Sequence, residues 1–166
     1  MWRTVTPEVR DDAGSRHVSD GGPSTIRITE VLRRKGESVV TIFPEQTVRE
    51  LVAVLGEYRI GALVVSRDGL HIDGIVSERD VVRRLNEDSN VLDLTVSAIM
   101  TANVHTCGPE DSVEDLMAAM TELRIRHVPV VVDGHLVGIV SIGDLIKHRL
   151  TELQAERDQL TAYITG

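Results

Sequence analysis

The chain repeats itself. The run V-V-T-I-F-P-E-Q-T-V-R-E-L (Val39 to Leu51) aligns with V-H-T-C-G-P-E-D-S-V-E-D-L (Val104 to Leu116), with Pro44 falling on Pro109 at an offset of 65. At the same offset Tyr58 to Val65 falls on Leu123 to Val130, and Asp68-Gly69 on Asp133-Gly134. One loop residue is then lost, and Gly74-Ile75-Val76-Ser77-Glu78-Arg79-Asp80 lies on Gly138-Ile139-Val140-Ser141-Ile142-Gly143-Asp144 at an offset of 64. A gap in a surface loop is where a change of length is tolerated. A unit of about 60 residues stacked on its like buries a face it cannot cover alone, so the chain is constrained to fold as two similar halves of one body.

Each copy reads β-α-β-β-α. A short strand (Val39 to Ile42; Val104 to Thr106) leads into a helix opened by Thr47-x-x-Glu50 or Ser112-x-x-Asp115, a spacing at which the two side chains cap each other's backbone N–H. Helical periodicity buries Val48, Leu51, Val52 and Leu55 in one copy and Val113, Leu116, Met117 and Met120 in the other. A β-rich run follows (Ala62 to Ser66; Val128 to Val132), then an Asp-Gly turn, a strand ending in Ile-Val-Ser and a closing helix.

The expected fold is therefore α+β: two pseudo-twofold β-α-β-β-α repeats with small mixed sheets packed together and helices outside. Related clefts should lie on either side of the axis, one at each strand-to-helix junction. The divisions expected are residues 1–24, 25–90, 91–150 and 151–166: an arm, two repeats and a helical extension. The arm holds Gly14, Gly21, Gly22 and Pro23 among Ser, Asp and Arg with no apolar period, a composition expected to stay disordered.

Bulk properties narrow the function. A chain of 166 residues supplies one good core rather than two large domains. Its formal net charge of −8 argues against a nucleic-acid partner, and with aromatics at 2% there is little to stack on bases. Any anionic ligand must be met by a local cationic pocket. Cys107 is the only cysteine, so no intramolecular disulfide is expected and a cytoplasmic protein is the default reading. No apolar run reaches the length of a membrane span.

Catalytic signals are missing as well. Cys107 has no His-Asp partnership at a recognisable spacing, and the histidines at 71, 105, 127, 135 and 148 lack metal-ligand spacing. There is no G-x-x-x-x-G-K loop. The reading is a non-catalytic protein that requires no metal.

The doubled G-I-V-S-x-x-D junction (Gly74 to Asp80; Gly138 to Asp144), the strand I-R-H-V-P-V-V (Ile125 to Val131) and the I-M-T entry to the second copy (Ile99 to Thr101) carry a resemblance. From about Ile26 to Leu150 the chain resembles a pair of CBS domains, the module named after cystathionine β-synthase. The resemblance implies an adenosyl ligand: AMP, ADP or ATP first, with NAD(H) and S-adenosylmethionine as further members of the class. It also implies that Asp80 and Asp144 hold ribose, with Ser77 and Ser141 near the sugar and phosphate.

Both Ser-x-x-Asp pairs have a plainer role, since serine and an acid three residues on cap a helix. The two roles are compatible, because a helix N-terminus suits a phosphate or ribose oxygen and a carboxylate can accept both hydroxyls of a ribose diol.

By the same resemblance, Arg126 and His127 reach across the axis to phosphates of a ligand whose ribose Asp80 holds. A guanidinium grips phosphate in a fork, whereas histidine adds charge only when protonated. Copy one has Gly61 and Ala62 at the matching positions, so the two clefts should not be equivalent. Arg79 is expected to face the Asp144 side, where Gly143 offers no counterpart in return. Val40, Ile60 and Val76, with Val104, Ile125 and Val140, are the candidates for gripping adenine, or else plain core. The competing reading is a structural or protein-interaction module of the same fold with empty clefts. The last helix continues with Ile146, Leu150, Leu153, Leu160 and Ile164 in a three-four alternation with Arg157 in the seam, a face that either lies back on its own body or, the reading favoured, makes a homodimer contact.

Overall fold

Reciprocal caps and apolar periodicity decide where the helices start and which side they bury. In the computed structural model, which describes residues 3–5, 25–36 and 38–165, α2 (Val48–Tyr58) opens on Thr47. The Thr47 hydroxyl accepts the Glu50 N–H at 3.2 Å, and the Glu50 carboxylate accepts the Thr47 N–H at 2.7 Å. Its counterpart α4 (Val113–Glu122) opens on Ser112, whose hydroxyl accepts the Asp115 N–H at 3.3 Å. Val48, Leu51, Val54 and Leu55 are the buried face of α2. Val52, expected there, is exposed: at 100° per residue it falls on one margin of the stripe centred near Leu51, and Val54 on the inward margin.

The first repeat builds one sheet in the order β1-β2-β3-β4, from Arg3–Val5, Val39–Ile42, Ala62–Val65 and Gly74–Ser77. Strand β2 is parallel to β3, and the other two pairings are antiparallel. The expected disordered arm is thus a paired strand at Arg3–Val5, and residues 6–24 lie outside the described residues. The second repeat pairs β5 (His127–Val132) with β6 (His135–Ser141) through Asp133-Gly134, both at positive φ as a tight two-residue hairpin requires.

No strand forms at Val104–Thr106. Pairing there is reduced to a parallel bridge from Cys107 to Val130, the same register as Ile42 to Val65 in copy one. Two residues later Pro109 has no N–H to continue a ladder. The closing helices are α3 (Glu78–Leu85) and α5 (Ile142–Thr165), the latter running through the extension without a break.

The two halves exchange their leading segments. Helix α1 (Ile28–Lys35) leads the first repeat, yet Ile26, Ile28 and Val31 are buried with Val113, Leu116, Met120, Val128, Val140 and Leu145 of the second. Conversely, Val91 and Val96, which precede the second repeat, are buried with Val48, Leu51, Leu63 and Val76 of the first. The backbone repeats the crossover: Ile28 N–H donates to Asp111 O and Val113 N–H to Ile26 O, just as Val96 N–H donates to Gln46 O and Val48 N–H to Leu94 O. Between the sheets a third core joins Val39 and Val64 to Leu136. Each half therefore completes the other twice, through its sheet face and through a borrowed segment. The α+β architecture of two like repeats, with sheets inward and helices outward, is the one the internal offset implies.

Candidate functional site

Strand β4 ends at Ser77, and α3 begins on the next residue with Asp80 in its first turn. The Asp80 Oδ2 accepts the Ser77 N–H at 2.8 Å and the Ser77 hydroxyl at 2.7 Å. Among the described residues its Oδ1 has no partner, so a capped carboxylate keeps one oxygen for something else. One helical turn along, Arg79 and Arg83 share a face at i, i+4 spacing.

Opposite them, α4 ends in a left-handed residue, Arg124 at φ 55°, matched at the end of α2 by Arg59 at φ 53°. That turn feeds Ile125 and Arg126 into β5. Arg79 crosses the gap and donates from Nη1 to the Arg124 carbonyl at 3.1 Å.

These elements enclose a cleft of about 1070 Å³. Gly61, Ser77, Arg79, Asp80, Val104, Ile125, Arg126 and His127, all singled out from the sequence, line it together. Arg79 therefore lines the Asp80 cleft; toward the Asp144 side, where the sequence placed it, it reaches a smaller cavity that includes Ile142. A smaller cavity of about 420 Å³ adjoins it and shares Arg79, Arg124, Ile125 and Arg126.

The other candidates fall elsewhere. Val76 and Val140 are fully buried core, which prevents them from touching a ligand in the cleft, and Val40 and Ile60 pack against the first repeat's core. Ser141 and Asp144 line neither cavity.

Sequence reasoning missed Arg83, Arg124 and Thr101, which also line the cleft. Arg83 was detectable from the i+4 spacing to Arg79. Arg124 comes with the turn that closes α4, two residues before Arg126, and Thr101 is brought to the cleft by its bridge to Ile75.

Four arginines (79, 83, 124 and 126) therefore face two acids, Glu78 and Asp80, in a chain whose net charge is −8. The cleft is a cationic island that suits an anion. His127 does not add to that charge, since burial first, and the Lys35 charge second, push its pKa below the ordinary value of 6.5. At neutral pH it is an uncharged imidazole packed on the Gly61 backbone. A Cβ on Gly61 would sit 3.2 Å from the His127 ring, tighter than ordinary contact.

The Asp144 junction has the same cap with a different neighbour. The Asp144 Oδ2 accepts the Ser141 N–H at 2.8 Å, and the Asp144 N–H donates to Ser141 Oγ at 3.1 Å. The Oδ2 also accepts from the Lys35 ammonium at 2.7 Å. Burial acts to raise the Asp144 pKa, but the Lys35 ammonium and the Ser141 bonds outweigh it and hold the group below its ordinary value.

Cys107 is buried, and desolvation pushes its pKa up to about 12, which makes it a poor nucleophile. Among the described residues no group of three or more His, Cys, Asp or Glu could hold a metal ion, and no helix is long and apolar enough to cross a membrane.

Known proteins share this arrangement. The CBS domain family profile matches residues 28–87 and 96–151. The CBS domain-containing protein CBSX3, mitochondrial, of Arabidopsis thaliana is 34% identical over 158 residues, covering 90% of this chain and 77% of its own length. The crystal structure of the CBS-domain containing protein ATU1752 from Agrobacterium tumefaciens superposes with a TM-score of 0.72 at 40% identity, over 75% of this chain and 99% of that one. The CBS domain pair of protein MJ0100, solved in complex with 5′-methylthioadenosine and S-adenosyl-L-methionine, superposes with a TM-score of 0.66 at 25% identity, over 74% of this chain and 98% of that one. With the family profile matching both copies of the internal repeat, the chain belongs to the CBS domain family and carries two CBS domains in tandem.

Proposed function

We propose that this protein is a non-catalytic regulatory module that binds an adenine nucleotide in the Asp80 cleft and passes the bound state to a partner. The observation that carries the reading is the juxtaposition of an open Asp80 carboxylate oxygen and four arginines around one cavity. A ribose diol donates two hydrogens to a carboxylate, and guanidinium forks pair with phosphate oxygens. Val104 and Ile125 supply apolar surface for the base.

The charge orders the ligand class. ATP and ADP suit four arginines better than AMP. NAD(H), with two phosphates, falls between, and S-adenosylmethionine, whose sulfonium is cationic, ranks last. The adenosyl ligands of the MJ0100 pair support the adenosine half of the assignment.

A ligand selective for the folded form stabilises it by about 2.7 kcal/mol at a hundred times its Kd. A thermal-shift panel should therefore raise the melting temperature most with ATP and then progressively less with ADP, NAD(H), AMP and S-adenosylmethionine, with the ATP shift shrinking as salt rises. No shift with any of them favours the interaction module with empty clefts.

We further propose a homodimer in a reducing compartment such as the cytoplasm. The compartment rests on the lone cysteine, the dimer on α5. Ile146, Leu150, Leu153, Leu160 and Ile164 are exposed along the helix at 42%, 55%, 43%, 65% and 81%, an apolar seam that its own body leaves open. Truncation after Leu150 should convert the dimer to a monomer in sedimentation. A truncated chain that sediments as a dimer removes the extension from that role.

A further inference from the structure

The two Ser-x-x-Asp junctions differ in one partner. Among the described residues the Asp80 carboxylate accepts only from its own Ser77. At Asp144 the carboxylate accepts from Ser141 and from Lys35, whose ammonium also donates to the Ile139 carbonyl at 3.0 Å. Two acceptors on one strand-to-helix junction hold that ammonium on Oδ2; Oδ1 accepts no bond among the described residues, so what sets this carboxylate apart from Asp80 is the tethered opposite charge. In copy one the residue matching Ile139 is Ile75, whose carbonyl already accepts the Thr101 N–H at 2.9 Å. The residue matching Lys35, at the offset of 68 that the leading segments obey, is Asn103, which has no charge to offer.

We infer that Lys35 is a tethered occupant of the Asp144 half, so that the chain takes one nucleotide in the Asp80 cleft rather than one in each. The inference rests on the nucleotide reading proposed above and deepens it. A neutral ribose hydroxyl competes poorly with an ammonium for a carboxylate, because the ammonium brings a full opposite charge as well as a hydrogen bond and the hydroxyl brings only the hydrogen bond. The intramolecular partner is also present at high effective concentration.

The rest of that half offers a ligand little in compensation. Gly61 and Ala62 stand where the other half has Arg126 and His127, and Gly143 stands where it has Arg79. His127 closes over Gly61 from the opposite side. The Lys35 side chain comes from α1, the helix that crosses between repeats, so the occupied state is tied to the crossover itself.

The test is the number of adenosine sites per full-length chain by isothermal titration calorimetry, adenosine having no phosphate to need the missing cations, with ATP titrated in parallel. Wild type should bind one. Lys35→Met, which keeps the length of the side chain and removes its charge, should bind two, and the second site should vanish again in Lys35→Met/Asp144→Asn. Lys35→Arg, which restores a cation, should bind one. Lys35 is 38% exposed in its side chain, so loss of the fold is not expected, and a wild-type melting temperature confirms it for each variant. Two sites in wild type, or one in Lys35→Met, overturns the inference and leaves the nucleotide reading standing. No binding of adenosine or ATP by any of these chains overturns both.

Discussion

Ile28→Ala lowers the stability of the protein by about 2–5 kcal/mol, and the loosening appears in the half of the chain furthest from the substitution in sequence. Ile28 is fully buried among Val113, Val128 and Leu145, so truncation leaves a cavity in the second repeat's core. Its N–H also anchors α1 to Asp111 O, and the neighbouring Ile26 carbonyl holds Val113 N–H at the start of α4. Native-state hydrogen exchange should accelerate first in β5, β6 and the start of α4. Exchange in β3 and β4 should change only as far as global stability falls, because their core contains no residue of α1. Acceleration confined to β3 and β4 would falsify the crossed arrangement. The mirror substitution, Val96→Ala, should loosen the first repeat in the same way, by a smaller amount in keeping with the smaller side chain.

That crossover marks the limit of what the sequence could reveal. The offset of 65 was legible because it spans whole elements, from Pro44 and Pro109 to the paired Asp-Gly turns. The borrowed segments are short and obey a different spacing: Ile26-Arg27-Ile28 plays the part of Leu94-Thr95-Val96 at an offset of 68. Three residues of apolar-polar-apolar pattern fit any edge, and only tertiary pairing decides which half they join. The same limit governs the site. Asp80 and Ser77 were readable because the junction motif is doubled, and Arg126 and His127 because of the family resemblance, whereas Arg124 and Thr101 reach the cleft only through the packing of one half on the other. Val76 and Val140 were ambiguous because a strand residue beside a functional serine faces either the core or the cleft, and burial decided for the core. Lys35 carried no signal at all, since it belongs to a helix whose partner lies 109 residues further on.

Asp80→Asn separates the cap from the ribose. The asparagine carbonyl oxygen can still accept the Ser77 N–H and hydroxyl that Asp80 Oδ2 accepts at 2.8 Å and 2.7 Å, so α3 keeps its start and the melting temperature should stay near wild type. The other half of the group changes from an acceptor to a donor, and the charge is lost. A diol that donated both hydrogens to a carboxylate then meets an NH₂ where it needs a lone pair. Hydrogen bonds to charged groups contribute about 1.5–3 kcal/mol, so ATP should bind about 10- to 150-fold more weakly. Arg126→Ala removes a phosphate partner instead. It should narrow the preference for ATP over AMP and flatten the salt dependence while leaving the weak binding of adenosine unchanged. Asp144→Asn, whose wild-type carboxylate Lys35 already occupies, should leave ATP affinity within about twofold of wild type, well inside one factor of ten. Wild-type ATP affinity in Asp80→Asn would show that the Ser77-Asp80 pair only caps its helix. An affinity loss of equal size in Asp80→Asn and Asp144→Asn would mean that the two junctions are equivalent after all.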